Sequence, residues 1–161
     1  PRDFYPTPME AVEPLLEHLP DDFPFAEPCA GNGALIEHLE TKGICMWASD
    51  IEPQAKGIHK NDYSEIGYNK LIESDYVVTN PPWDRKILHP MIEYFAPRIQ
   101  TWLLFDADWM HTKQSAPYMA MCSKIVSVGR IKWFGNMTGK DNCAWYLFDR
   151  KVNNTIFYGR T

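Results

Sequence analysis

Two consecutive prolines, Pro81 and Pro82, follow directly on the apolar run Tyr76-Val77-Val78-Thr79 and a single polar residue, Asn80. Each proline has a fixed φ and no N–H. A strand that reaches them can neither extend its ladder nor pass into a regular helix. The chain must therefore end a buried strand at Asn80 and leave polar groups at its tip. The Asn80 side-chain oxygen and a main-chain carbonyl both act as acceptors there. Trp83 sets a flat apolar face beside them. Two acceptors next to a ring suit an exocyclic amino group on a planar aromatic molecule.

Around this notch the chain alternates between helical and strand periodicity. Residues 9–19 carry a helical stripe (Val12, Leu15, Leu16, Leu19), with Pro14 near its start. A strand over 23–27 runs into a glycine-rich loop. A helix over 34–42 follows, closed by Gly43. Strands are predicted over 44–49, 76–79 and 102–105. A crossover helix over 87–95 has Pro90 early enough to mark its true start. A short helix over 115–121 has Pro117 in its first turn. The tail reads as strands over 125–128, 144–148 and 155–158, with turns at Gly135 and Gly139. This order predicts an α/β, Rossmann-like fold with a mainly parallel twisted sheet and an antiparallel C-terminal edge.

With 161 residues, 45% of them hydrophobic, the chain reads as one domain over residues 1–161 with room for a sizeable core. No apolar run is long enough for a transmembrane helix, and no signal-peptide pattern is visible. Cys29, Cys45, Cys122 and Cys143 are widely spaced with no CxxC, which indicates neither a zinc site nor a disulfide framework. A reduced, cytoplasmic setting and no membrane association are expected. The net charge of -5 divides into -11 over residues 1–110 and +6 over residues 111–161. The basic third can serve phosphates, or it can be a solvated face balancing the acidic part; both readings stand.

The loop Glu27-Pro28-Cys29-Ala30-Gly31-Asn32-Gly33 leaves one strand and enters a helix. Its glycines let backbone approach a ligand closely. Asp50 closes the next strand, and those two strand ends adjoin the crevice where α/β sheets hold nucleosides. A carboxylate there can bind both hydroxyls of a ribose. Position 36 is Ile36, so the loop is not GxGxxG. That departure disfavours a pyrophosphate-bearing cofactor and favours one without phosphates, such as S-adenosyl-L-methionine.

Taken in order, these motifs closely resemble the class I S-adenosylmethionine-dependent methyltransferases of the N6-adenine type, in the motif order of the gamma subclass. Asp3 to Pro8 is similar to motif X, which implies that Tyr5 and Thr7 reach the methionine end of the cofactor. Glu27 to Gly33 resembles motif I. It implies that Glu27 holds the cofactor's amino group and that Pro28, Ala30, Gly31 and Gly33 line its path. Asp50 resembles the motif II acid on the ribose, with Ile51 against the adenine. Asp62, in Asn61-Asp62-Tyr63, resembles the motif III acid, although an Asn-Asp pair also forms turns unaided. Asn80, Pro81, Pro82 and Trp83 are similar to the catalytic motif IV, and residues 130–146 to motif VIII. The family more often has Tyr or Phe where this chain has Trp83, and stacking is preserved.

The resemblance implies methyl transfer to the N6 amino group of adenine in DNA. RNA adenine, a protein glutamine amide, or an idle cofactor-binding subunit are the alternatives. Trp133 and Phe134 are candidate walls for the target base, or core packing residues. Lys132, with Lys140 and Arg150, is a candidate phosphate contact. Such enzymes usually carry a separate target-recognition domain, so little sequence specificity or a separate specificity partner is expected, as in minimal phage-like enzymes. Asp106, Asp108 and His111 are spaced as a strand-end cluster and only faintly as a metal site; no metal is expected. Cys29 reads as a packing residue. The oligomeric state is left open.

Overall fold

A computed structural model describes residues 5–134, 137–150 and 152–161, and of Phe134, Met137 and Thr138 the backbone alone. Predictions that fall on Asp3, Phe4, Gly135 and the Phe134 side chain lie outside the described residues. The strands are β1 (Pro24–Glu27), β2 (Ile44–Asp50), β3 (His59–Lys60), β4 (Tyr76–Thr79), β5 (Gln100–Asp106), β6 (Cys122–Phe134), β7 (Met137–Phe148) and β8 (Ile156–Tyr158). The helices are α1 (Met9–Leu16), α2 (Ala34–Leu39), α3 (Tyr68–Leu71), α4 (Arg85–Phe95) and α5 (Ala116–Met119).

The strands form one sheet in the order β3-β2-β1-β4-β5-β7-β6-β8. β1 to β5 pair in parallel, and β7 runs antiparallel to both β5 and β6. The expected α/β class, with its mainly parallel sheet and antiparallel C-terminal part, is observed. Strand order reverses between β1 and β4, so a crevice opens outside their carboxyl ends. Glu27 and Asn80 stand at those two ends.

Side chains on successive strand residues go to opposite faces, and two cores result. Val78, Trp102 and Leu104 pack with Leu15, Leu35 and Leu39 on one face. Val77, Leu103 and Phe105 pack with Leu88, Met91, Ile92 and Phe95 on the other.

Both internal prolines depart from the sequence expectation. Pro14 lies inside α1, and Pro90 inside α4, which starts five residues before it at Arg85. Asp84 caps α4 by accepting from the Lys86 N–H at 3.0 Å. An interior proline costs about 3 kcal/mol. The four buried apolar side chains of α4 contribute roughly 1.5–3 kcal/mol each and outweigh it.

Gly43 is also needed for a reason other than the one expected. Its φ is not positive, so it is not a left-handed cap. A Cβ there would lie 2.5 Å from the Phe23 ring, which is 1% exposed and cannot swing away. Gly43→Ala is expected to destabilise the fold by about 1–3 kcal/mol through overpacking. The check is the urea midpoint; an unchanged midpoint would show that the core yields there.

The tail differs too. The two short strands expected over 125–128 and 144–148 are parts of long ones, and Gly139 lies within β7 rather than in a turn. A Cβ on Gly139 would stand 3.0 Å from the Trp133 indole, so this glycine makes room for that ring.

Candidate active site

A cleft of about 880 Å³ lies over the carboxyl ends of β1, β2 and β4. That is within the usual range for sites that hold a small molecule. Its walls bring together Tyr5, Thr7, Glu27, Pro28, Ala30, Gly31, Asp50, Ile51, Asp62, Asn80, Pro81, Pro82, Trp83 and Trp133. These residues come from segments far apart in the sequence. Parallel strands that all point one way set them side by side.

The β1–α2 loop is held by its own acids. Gly31 and Gly33 have φ of 56° and 87°, in the region where a side chain would be strained. The Gly31 N–H donates to Asp50 Oδ2 at 2.9 Å, and the Glu52 N–H donates to Asp50 Oδ1 at 2.7 Å. The end of β2 is thereby tied to the glycine loop, and each Asp50 oxygen keeps a further lone pair. Gly33 is not in the cleft wall; it sits at the start of α2 and sets the turn into that helix.

Glu27 is 1% exposed. The Cys29 N–H donates to its Oε1 at 2.9 Å. The Thr79 hydroxyl stands near enough to stabilise its charged form, without a hydrogen bond of regular geometry. Burial dominates and pushes the Glu27 carboxyl up to about 8. A buried acid so perturbed, in a cleft, is a candidate for binding a cation. Burial, with Glu27 beside it, also keeps the Cys29 thiol protonated well above the usual thiol range. That suits a packing role and not a nucleophile.

Asp62 lines the cleft while capping a 3-10 turn, Tyr63–Glu65. The Ser64 N–H donates to it at 3.0 Å, and Glu65 reaches back to the Asp62 N–H at 2.7 Å. The turn-forming reading of this pair is therefore present in the structure. Ile51 is 43% exposed and faces the same cleft.

The Asn80 amide is bound on both sides. Its Nδ2 donates to Thr7 Oγ1 at 3.2 Å, and its Oδ1 accepts from Trp83 Nε1 at 3.2 Å. Trp83 Nε1 also donates to the Leu104 carbonyl at 3.1 Å. The Trp83 ring meets Trp133 edge to face with centroids 6.2 Å apart, and Trp133 meets Tyr5 at 6.2 Å. Three aromatic rings thus flank the notch.

Several contributors were not expected. Arg85 donates to the Trp83 carbonyl at 3.0 Å and to Asp106 Oδ2 at 2.6 Å, which fastens the notch to the end of β5. Asp106 Oδ1 accepts from the Trp109 N–H at 2.8 Å, so this acid is a structural anchor. Among the described residues no His, Cys, Asp and Glu side chains gather as a metal-holding group. Ile87 and Met91 line the cleft from α4, and Gly139, Lys140 and Asp141 line it from β7. The apolar stripe of α4 was the only sequence signal for the first two. Lys140 was a candidate phosphate contact from its charge alone; what sets it, Gly139 and Asp141 in the cleft wall is the hairpin register.

The three basic candidates separate. Lys132 and Lys140 are exposed on the cleft end of the β6–β7 hairpin, where Arg130 is exposed beside them, whereas Arg150 follows the far end of β7. Lys132 is not in the cleft wall, and its N–H donates to Glu10 Oε1 at 3.1 Å.

Comparison with solved structures agrees with this architecture. The chain superimposes on a type I restriction-modification methyltransferase subunit from Streptococcus thermophilus with a TM-score of 0.62 and 9% identity. The match covers 99% of this chain and 48% of that one, so this chain spans about half of the subunit's length. A dimethyladenosine transferase from Plasmodium falciparum matches with a TM-score of 0.59 and 12% identity, over 91% of this chain and 62% of that chain. The fold is that of a Rossmann-like methyltransferase. A complex from E. cuniculi responsible for methylating the translation termination factor eRF1 has it too, with a TM-score of 0.59, 15% identity, and 89% and 92% of the chains covered. No protein-family model matches the chain, and no curated protein matches it in sequence. Among the described residues no helix of this methyltransferase-fold chain is long and apolar enough to cross a membrane.

Proposed function

We propose that this protein transfers a methyl group from S-adenosyl-L-methionine to the N6 amino group of adenine in DNA. The observation that carries the reading is Asn80: a doubly hydrogen-bonded amide at a strand end, across one cleft from a buried acid and a glycine loop. The residues fit the cofactor. Glu27 would hold its amino group, Asp50 its ribose hydroxyls, and Ile51 and Asp62 its adenine, with Tyr5 and Thr7 toward the methionine end. When bound, S-adenosyl-L-methionine supplies an electrophilic methyl group on a sulfonium.

The chain's own part is positioning and electrostatics. An adenine amino nitrogen is a weak nucleophile because its lone pair is delocalised into the ring. The second lone pair of Asn80 Oδ1, with the Pro81 carbonyl, would accept its two N–H hydrogens and draw that lone pair toward sp3 character. Trp83, with Trp133, would hold the ring. Flipping the base out of a duplex costs a few kcal/mol, and less from a single strand.

The neighbours' names include a restriction-modification subunit, an adenosine-modifying enzyme and a methyltransferase of a protein factor. The exposed basic group Arg130, Lys132 and Lys140 beside the cleft favours nucleic acid over protein. A separate specificity subunit is compatible with this reading. Replacing Lys132 and Lys140 by Gln is expected to weaken DNA binding and lower the slope of log affinity against log salt by about one to two. Replacing Arg150, at the far end of β7, is expected to leave that slope unchanged.

The direct test is tritium transfer from labelled S-adenosyl-L-methionine to unmethylated DNA, single-stranded and duplex, with RNA and a protein mixture alongside. Label recovered as N6-methyladenine from DNA is the expected result. Label only in RNA or protein would move the substrate to the alternatives. No label anywhere, with cofactor binding confirmed, would point to an idle subunit.

A further inference from the structure

We propose that Trp83 is a positioning residue that decides which atom of the Asn80 amide is presented for the reaction, an inference that rests on the methyl-transfer reading above. The argument begins with the prolines. The last register pair between β4 and β5 is Thr79 with Leu103. Beyond it Pro81 and Pro82 have no N–H to continue the ladder. The Leu104 carbonyl, in a residue with no exposure, therefore needs another donor. Trp83 Nε1 is that donor, at 3.1 Å.

The same N–H reaches Asn80 at 3.2 Å. An indole N–H only donates. An Asn80 amide turned the other way would set N–H against N–H, so the indole admits Oδ1 alone. Thr7 cannot make this choice. Its hydroxyl, 3.2 Å from the other side of the amide, donates or accepts and fits either orientation. The indole is itself held, edge to face on Trp133 and through the Arg85 contact to the Trp83 carbonyl. Selecting Oδ1 toward Trp83 fixes the plane of the amide and aims its remaining lone pair. Phenylalanine at position 83 would keep an aromatic face and lose the selection.

The test is Trp83→Phe, assayed with saturating and limiting nucleic acid, together with nitrogen-15 spectra of the side-chain N–H groups. The expected result is a fall in kcat between roughly tenfold and a hundredfold, the scale of a misplaced catalytic group, with the KM of both substrates within about twofold. The Asn80 NH2 resonances should move in Trp83→Phe, and the Trp83 indole resonance should move in Asn80→Ala. An unchanged kcat with a raised nucleic-acid KM would reduce Trp83 to a stacking plate and overturn the proposal. An indole resonance unmoved by Asn80→Ala would overturn it too. Should the wild-type protein transfer no methyl group, the assay counts against the methyl-transfer reading, and the spectra still decide whether the indole holds the amide.

Discussion

Asn80→Ala is expected to lower methyl transfer by about a hundredfold to a thousandfold, the scale of losing a preorganised electrostatic group, while S-adenosyl-L-methionine binds within about threefold of normal. Asn80 holds its amide between Thr7 and Trp83 at 3.2 Å on either side. Removing it deletes the acceptor that would bind the target amine and leaves the β1–α2 loop and Asp50 untouched. Those hydrogen bonds are worth about 0.5–1.5 kcal/mol each to stability, so the variant should fold. Single-turnover transfer and equilibrium binding of the labelled cofactor read the two effects separately. Near-normal turnover in this variant would sink the mechanism.

The second large effect concerns Glu27, whose carboxyl burial pushes up to about 8 from an ordinary 4.5. The folded protein therefore keeps a proton that the unfolded chain gives up above about pH 4.5. The stability this contributes is fully present below pH 4.5, and it is lost as pH rises toward 8, at no more than about 1.4 kcal/mol per pH unit. Glu27→Gln should flatten that fall, read as urea midpoints from pH 5 to 8. A cationic amino group bound to Glu27 requires the ionised carboxylate. Cofactor affinity should then rise with pH by up to about tenfold per unit between pH 6 and 7.5, while an amino-acid ammonium stays charged. Binding at pH 7 should release close to one proton, measured by calorimetry in buffers of different ionisation enthalpy. A pH-independent affinity in wild type, or the same pH dependence in Glu27→Gln, would remove Glu27 from the amino-group role.

Local chemistry made much of this molecule legible in one dimension. The strands expected over 23–27, 44–49, 76–79 and 102–105 are where periodicity indicated; β4 and β5 are buried on both faces, which leaves few other solutions, whereas β2 has exposed and half-buried residues along most of its length. The glycine loop, Asp50 and Asn80 were readable because strand ends in a parallel sheet necessarily face one crevice. The prolines misled the helix boundaries. Local propensity sets the cost of Pro90, whereas the gain from four buried side chains on α4 depends on what they pack against.

The sequence by itself determined the α/β order, the rigid proline-ended notch and the acids that adjoin it, because each follows from the backbone chemistry of a few neighbouring residues. Tertiary structure alone decided the rest. It requires glycine at positions 43 and 139 because the Phe23 ring and the Trp133 indole approach there. It brings Lys140 to the cleft and leaves Arg150 at the other end of the same strand. It sets the Trp83 indole N–H against the Leu104 carbonyl of β5, one residue past the last β4–β5 register pair. Register, burial and the direction of a hydrogen bond are properties of strands brought together, and no short stretch of residues carries them.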